Sequence, residues 1–116
     1  MDNNHSTPTP PKHLNRKQKQ VFKRIAQDLI DPTQLDIEMV TQIAVLTVQV
    51  EDLQTQIETD GLVIPHTNSA GEKTVKQHPL TETYQRTNTN LSNQLNKLAA
   101  LQEQRFKQWM KEQDDE

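Results

Sequence analysis

The chain has 116 residues, a formal net charge of −3, 31% hydrophobic residues, two glycines and no cysteine. That hydrophobic content lies below the globular average and allows one domain with a thin core, so burial between copies is expected to supplement it. Without cysteine there are no disulfides, thiol nucleophiles or cysteine zinc sites, and no apolar run is long enough for a signal peptide or a membrane span; a soluble, intracellular protein is expected.

Residues 1–13, "MDNNHSTPTPPKH", are polar and proline-rich and read as a disordered arm. Asn15 can cap a first helix over about residues 15–30, with Val21, Ile25 and Leu29 spaced by four and Phe22, Ala26 and Ile30 widening the same face. Asp31-Pro32 ends it, because the residue before proline is pushed out of the helical region. From Lys12 to Arg24 there are six basic residues and no acidic one, whereas from Asp31 to Asp60 there are seven acidic residues and no basic one. This segregation suggests that one end faces an anionic partner. Arg16, Lys19 and Lys23 recur at steps of three and four, opposite Val21, Ile25 and Leu29.

Thr33 suits an N-cap and Asp36 an acidic first turn for a second helix over about residues 34–60, roughly 40 Å long at 1.5 Å per residue. Along it Met39, Ile43, Leu46, Val50, Leu53 and Ile57 alternate at steps of four and three, a heptad seam that we expect to be an oligomer interface. Ile37, Val40, Ala44 and Val48 form a neighbouring stripe. Gly61 stops the helix. "GLVIPH" and "EKTVKQ", joined by "TNSAG", predict a β-hairpin over about residues 62–77, with Pro65 arguing for an edge. His78 and Pro79 are expected as N-cap and first turn of a third helix over about residues 79–110, which carries Leu80, Tyr84, Leu91, Leu95, Leu98 and Leu101 and continues to Phe106 and Trp109. The expected organisation is an arm at 1–13, a single mainly α domain at 14–110 with the hairpin inserted, and an acidic tail at 111–116.

Few residues suggest chemistry. His5 and His13 fall in the arm, and the proposed hairpin holds His66 and His78 roughly 13 Å apart at 3.3 Å per residue, so neither a metal site nor a cofactor is expected. Asp36 with Glu38, and Glu51 with Asp52, are too close in sequence to share a helix face and read as solvated charge. With two glycines ten residues apart and no Gly-Lys-Ser/Thr sequence, a phosphate-binding loop is excluded, and the chain is not expected to be an enzyme.

The order of parts resembles the small subunit of a tailed-bacteriophage terminase. The residues that carry the resemblance are the basic helix "LNRKQKQVFKRIAQDLI", the start "TQLDIEMVTQIAVL" of the long helix, and "IETDGLVIPHTNSAGEKTVKQHPL" with its helix end, Gly-Leu-Val, turn glycine and His-Pro restart. It covers roughly residues 14–106. The resemblance implies a non-enzymatic subunit in the cytoplasm of the infected host, forming a homo-oligomeric ring that binds double-stranded viral DNA at the packaging site. It would regulate the large subunit, which carries the ATPase and nuclease. Many small subunits of this kind begin with a helix-turn-helix, whereas here one basic helix precedes the acidic one. DNA contacts are therefore expected from Lys12, Arg16, Lys17, Lys19, Lys23 and Arg24, arrayed around an assembly. "RFKQWMKEQDDE", with Phe106 and Trp109, is expected to dock on the large subunit. A coiled-coil adaptor using the same seam on a protein partner, without nucleic acid, is the alternative reading.

Overall fold

In a computed structural model the described residues are 7–61, 63–67 and 73–114, with side chains placed for 7–61 and 78–113. They form α1 (Arg16–Ala26), α2 (Gln34–Asp60) and α3 (Thr81–Asp114), in a body of 78 × 28 × 18 Å. α2 is the central element and packs against both α1 and α3, which border a common cleft lined by Ile25 of α1 and Leu98 of α3. Val40, Ile43 and Ala44 keep no exposed surface, because with two partners the apolar stripes of a helix are covered.

α1 begins with a reciprocal cap: the Gln18 backbone N–H donates to Asn15 Oδ1 (2.8 Å) and the Asn15 N–H to Gln18 Oε1 (2.9 Å). Its buried face is Val21, Phe22 and Ala26, and burying Phe22 completely contributes about 1.5–3 kcal/mol. The helix ends at Ala26, four residues short of the expected Ile30. There the chain tightens into i→i+3 bonds, Asp28 N–H to the Ile25 carbonyl (3.2 Å) and Leu29 N–H to that of Ala26 (3.1 Å), before Asp31 takes a φ of 46° in front of Pro32.

Thr33 caps α2 as its sequence suggests, and Asp36 completes the box by accepting from the Thr33 N–H (2.7 Å). Gly61 closes the helix at a φ of 87°, a region that glycine enters without steric cost.

The expected fold class, three helices with an inserted β-hairpin, is corrected to three helices. The core of the described side chains comes from α1, α2, α3 and Leu14. Between α2 and α3 the described residues hold two five-residue segments, Val63–Thr67 and Lys73–Gln77, paired antiparallel with Val63 opposite Gln77 and Thr67 opposite Lys73. The turn expected at "TNSAG" lies outside the described residues.

The third helix is corrected at both ends. It starts at Thr81 because His78 and Pro79 form a turn ahead of it: the Thr81 N–H donates to the His78 carbonyl (3.0 Å), and the first helical bond runs from the Tyr84 N–H to the Leu80 carbonyl (2.8 Å). At the other end it runs to Asp114, through four of the six residues assigned to the tail. Along α3 the covered or half-covered positions Leu80, Tyr84, Thr87, Leu91, Gln94, Leu98, Leu101 and Arg105 alternate at steps of four and three. This is a heptad seam laid against α2, and it ends in a charged residue.

Candidate nucleic-acid interface and partner surface

The side of α1 away from its core contacts is basic. Lys12, Arg16, Lys17, Lys23 and Arg24 are exposed and Lys19 is half-buried; among the described residues no carboxylate forms an ion pair with any of them. The first turn of α1 contains no acidic residue, so Arg16 and Lys17 add to the positive end of the helix dipole instead of offsetting it. Such a placement costs helix stability and raises the local positive potential, which is the combination expected of a surface kept for an anion. Lys23 and Arg24 lie in the last turn, where the dipole favours them.

The expected interface seam of α2 is used inside the chain. Ile43, Leu46, Val50 and Ile57 are buried and Met39 and Leu53 half-buried, and Ile43, Leu46, Val50 and Met39 belong to the packed core. Among the described residues the large apolar side chains left exposed are elsewhere: Leu35, Leu95, Phe106, Trp109 and Met110. Phe106 and Trp109 stack with ring centroids 6.0 Å apart and an interplanar angle of 28°. They face a cleft whose other walls include Leu29, Ile30 and Pro32 from the α1–α2 connection.

Asp36 corrects a further expectation. Read as solvated, it is fully buried, and both its oxygens accept from the Arg105 guanidinium, Oδ1 from Nη2 at 3.0 Å and Oδ2 from Nη1. Burial acts to raise its pKa, but the hydrogen bonds from Arg105 and Thr33 and the Arg105 charge outweigh this and hold it below the usual carboxylate value. α3 also captures the connection itself: the Ile30 N–H donates to Gln102 Oε1 (2.7 Å), and Arg105 Nη1 donates to the Ile30 carbonyl (3.4 Å). The α1–α2 connection is thereby tied to α3 just ahead of the aromatic pair. No sequence signal marked Gln102 or Arg105, because each sits in a polar stretch and its partner lies about 70 residues away. The heptad phase of α3 was the available clue, since it puts Arg105 on the seam.

At the opposite end His78 is buried, and its ring joins two elements. Nδ1 accepts from the Leu80 N–H (3.0 Å), so in the neutral ring the proton is on Nε2, which donates to Asp60 Oδ2 (3.0 Å). This bond, then a second from Gln56 Nε2 (2.8 Å), draws the Asp60 pKa below its ordinary value. Among the described residues no three histidine or carboxylate side chains cluster as a metal site would require, and no helix is long and apolar enough to cross a membrane. His13 is exposed and His78 engaged; His5 and the side chain of His66 lie outside the description.

No curated protein and no solved structure matches the chain. A family model described as phage terminase, small subunit, does match, over residues 19–114, which takes in nearly all of the three-helix body from α1 onward. Since the match takes in α1 from Lys19 onward and the whole of α2 and α3, the chain belongs to the phage terminase small subunit family.

Proposed function

We propose that this protein is the DNA-recognition subunit of a phage packaging machine, working without catalysis of its own inside the infected cell. Lys12, Arg16, Lys17, Lys19, Lys23 and Arg24 would bind the phosphates of duplex DNA, and copies of the chain would assemble into a ring that multiplies those contacts. Phe106 and Trp109 would dock on the large subunit and so regulate its ATPase and nuclease. The observation that carries this reading is the uncompensated basic face of α1 in a chain of this family. Self-association would draw on Leu35, Leu95 and Met110, with Met39 and Leu53 as the partly open members of the α2 seam.

The adaptor reading needs the α2 seam free for a partner helix, and most of that seam is covered within one chain. The deciding experiment is duplex binding by fluorescence anisotropy across a salt series. If four of the basic residues reach phosphate, the log–log slope is about −3.6 per chain, from roughly −0.9 for each contact. Replacing Arg16, Lys17, Lys23 and Arg24 together by Glu should abolish binding without lowering the mass in solution. Undiminished binding by that variant would move the DNA site elsewhere.

A further inference from the structure

The cleft beside the stacked aromatics has a further wall. Thr7 and Pro8 line it together with Phe106, Trp109, Leu29, Ile30 and Pro32. The segment that supplies Thr7 and Pro8 has a regular pattern of cover: Thr7 and Thr9 are exposed, while Pro8, Pro10 and Pro11 are half-buried. A chain that presents prolines inward and threonines outward is lying on a surface. The Leu14 N–H donates to the Pro11 carbonyl (3.2 Å) and Leu14 is buried, which anchors the end of the segment next to α1. Pro8-Thr9-Pro10-Pro11 is a P-x-x-P sequence with Lys12 immediately behind it. Such sequences favour an extended left-handed helix that loses little entropy on docking, and aromatic-lined grooves are the surfaces that receive them. Asp31 is the one charged residue lining the cleft, so a basic residue flanking the prolines would be favoured.

We propose that the Phe106–Trp109 cleft is a docking groove for an extended, proline-bearing protein segment with a basic flank, and that the arm, which reaches it at Thr7 and Pro8, is its resident, displaceable occupant. The contact is self-limiting: a tethered occupant acts at an effective concentration of the order of millimolar, so a partner segment binds only when it outcompeetes the arm. The partner is defined here by that chemistry. The proposal deepens the reading of Phe106 and Trp109 as a partner contact, and rests on it only for which protein supplies the segment.

Trp109 is the one tryptophan of the chain and so reports on its own cleft. The test uses the full chain, its Pro8→Asp variant, and a free peptide STPTPPKH with a control in which serine replaces each proline. In Pro8→Asp the acrylamide quenching constant of Trp109 should rise about twofold. The proline peptide should reverse that rise and bind the variant at least about fivefold more tightly than the unaltered chain, while the control peptide does neither. Phe106→Ala, with an unchanged circular dichroism melt, should abolish the peptide response. Equal quenching with and without Pro8→Asp, or equal effects of the two peptides, would overturn the proposal. A halved mass in light scattering on Pro8→Asp would also overturn it, by assigning the arm to a neighbouring copy. If the peptide binds as expected but purified large subunit does not change Trp109 emission, the large-subunit reading fails and the groove stands.

Discussion

Asp36 in the first turn of α2 and Arg105 near the end of α3 are 69 residues apart and share a two-armed ion pair whose carboxylate has no exposed surface. The same carboxylate caps its own helix through Thr33, and the same guanidinium reaches the Ile30 carbonyl. Removing one partner leaves the other charge buried without compensation, which costs about 3–5 kcal/mol. Asp36→Ala and Arg105→Ala should each lower the unfolding free energy, read from urea titrations, by up to such an amount. The double variant should cost much less than the sum, since pairing energy is lost once. Additive losses would show that the pair does not couple the two helices.

Acid should unfold the protein through the carboxylates that its fold holds ionised. Asp36 and Asp60 both have folded pKa values below the ordinary 3.8, so their contribution to stability is complete above the unfolded value. It is lost as pH falls below about 4 and through the folded values. The urea midpoint should therefore be level from neutral pH down to about 4.5 and fall below that. Asp36→Asn should start lower at neutral pH and flatten the fall, and a fall of unchanged steepness in that variant would remove Asp36 from the account.

Two aspartate substitutions separate the core from the assembly surface. Ile43 has no exposed surface, so Ile43→Asp buries an unpaired charge and should leave little folded protein at 25 °C, seen as loss of the cooperative thermal transition. Leu95 is 41% exposed where α3 borders the open cleft beside α1, and Leu95→Asp should keep its melting profile while reducing the light-scattering mass. An unchanged mass for Leu95→Asp would place self-association on another surface.

The local features were legible where a residue acts on its immediate neighbours. Asn15 and Thr33 cap their helices, Gly61 ends α2, and the apolar phase of α2 marks it as the element with most to bury. What the sequence did not declare was which surface covers that apolar phase. A heptad seam looks the same whether its partner is another chain or a helix of the same chain, and here α1 and α3 take it up. Asp36 was misread for a related reason: its spacing to Glu38 is informative about its own helix and silent about Arg105. The early end of α1 likewise depends on Gln102 and Arg105 satisfying the peptide groups of Ile30, partners that no local pattern announces. The basic face of α1 was readable as a face, since Arg16, Lys17, Lys23 and Arg24 are exposed as their spacing implies.

α2 and α3 are fastened near both ends, by Asp36 to Arg105 at one and by Asp60 to His78 at the other. Sliding one helix along the other by a single turn, about 5.4 Å, would break both fastenings at once. Alignment of the two long helices is thus set by side chains within the three-helix body, and the strand pair between them need only span the gap. With the helices held in register at both ends, this junction is where an inserted tag or an altered loop is expected to be tolerated best.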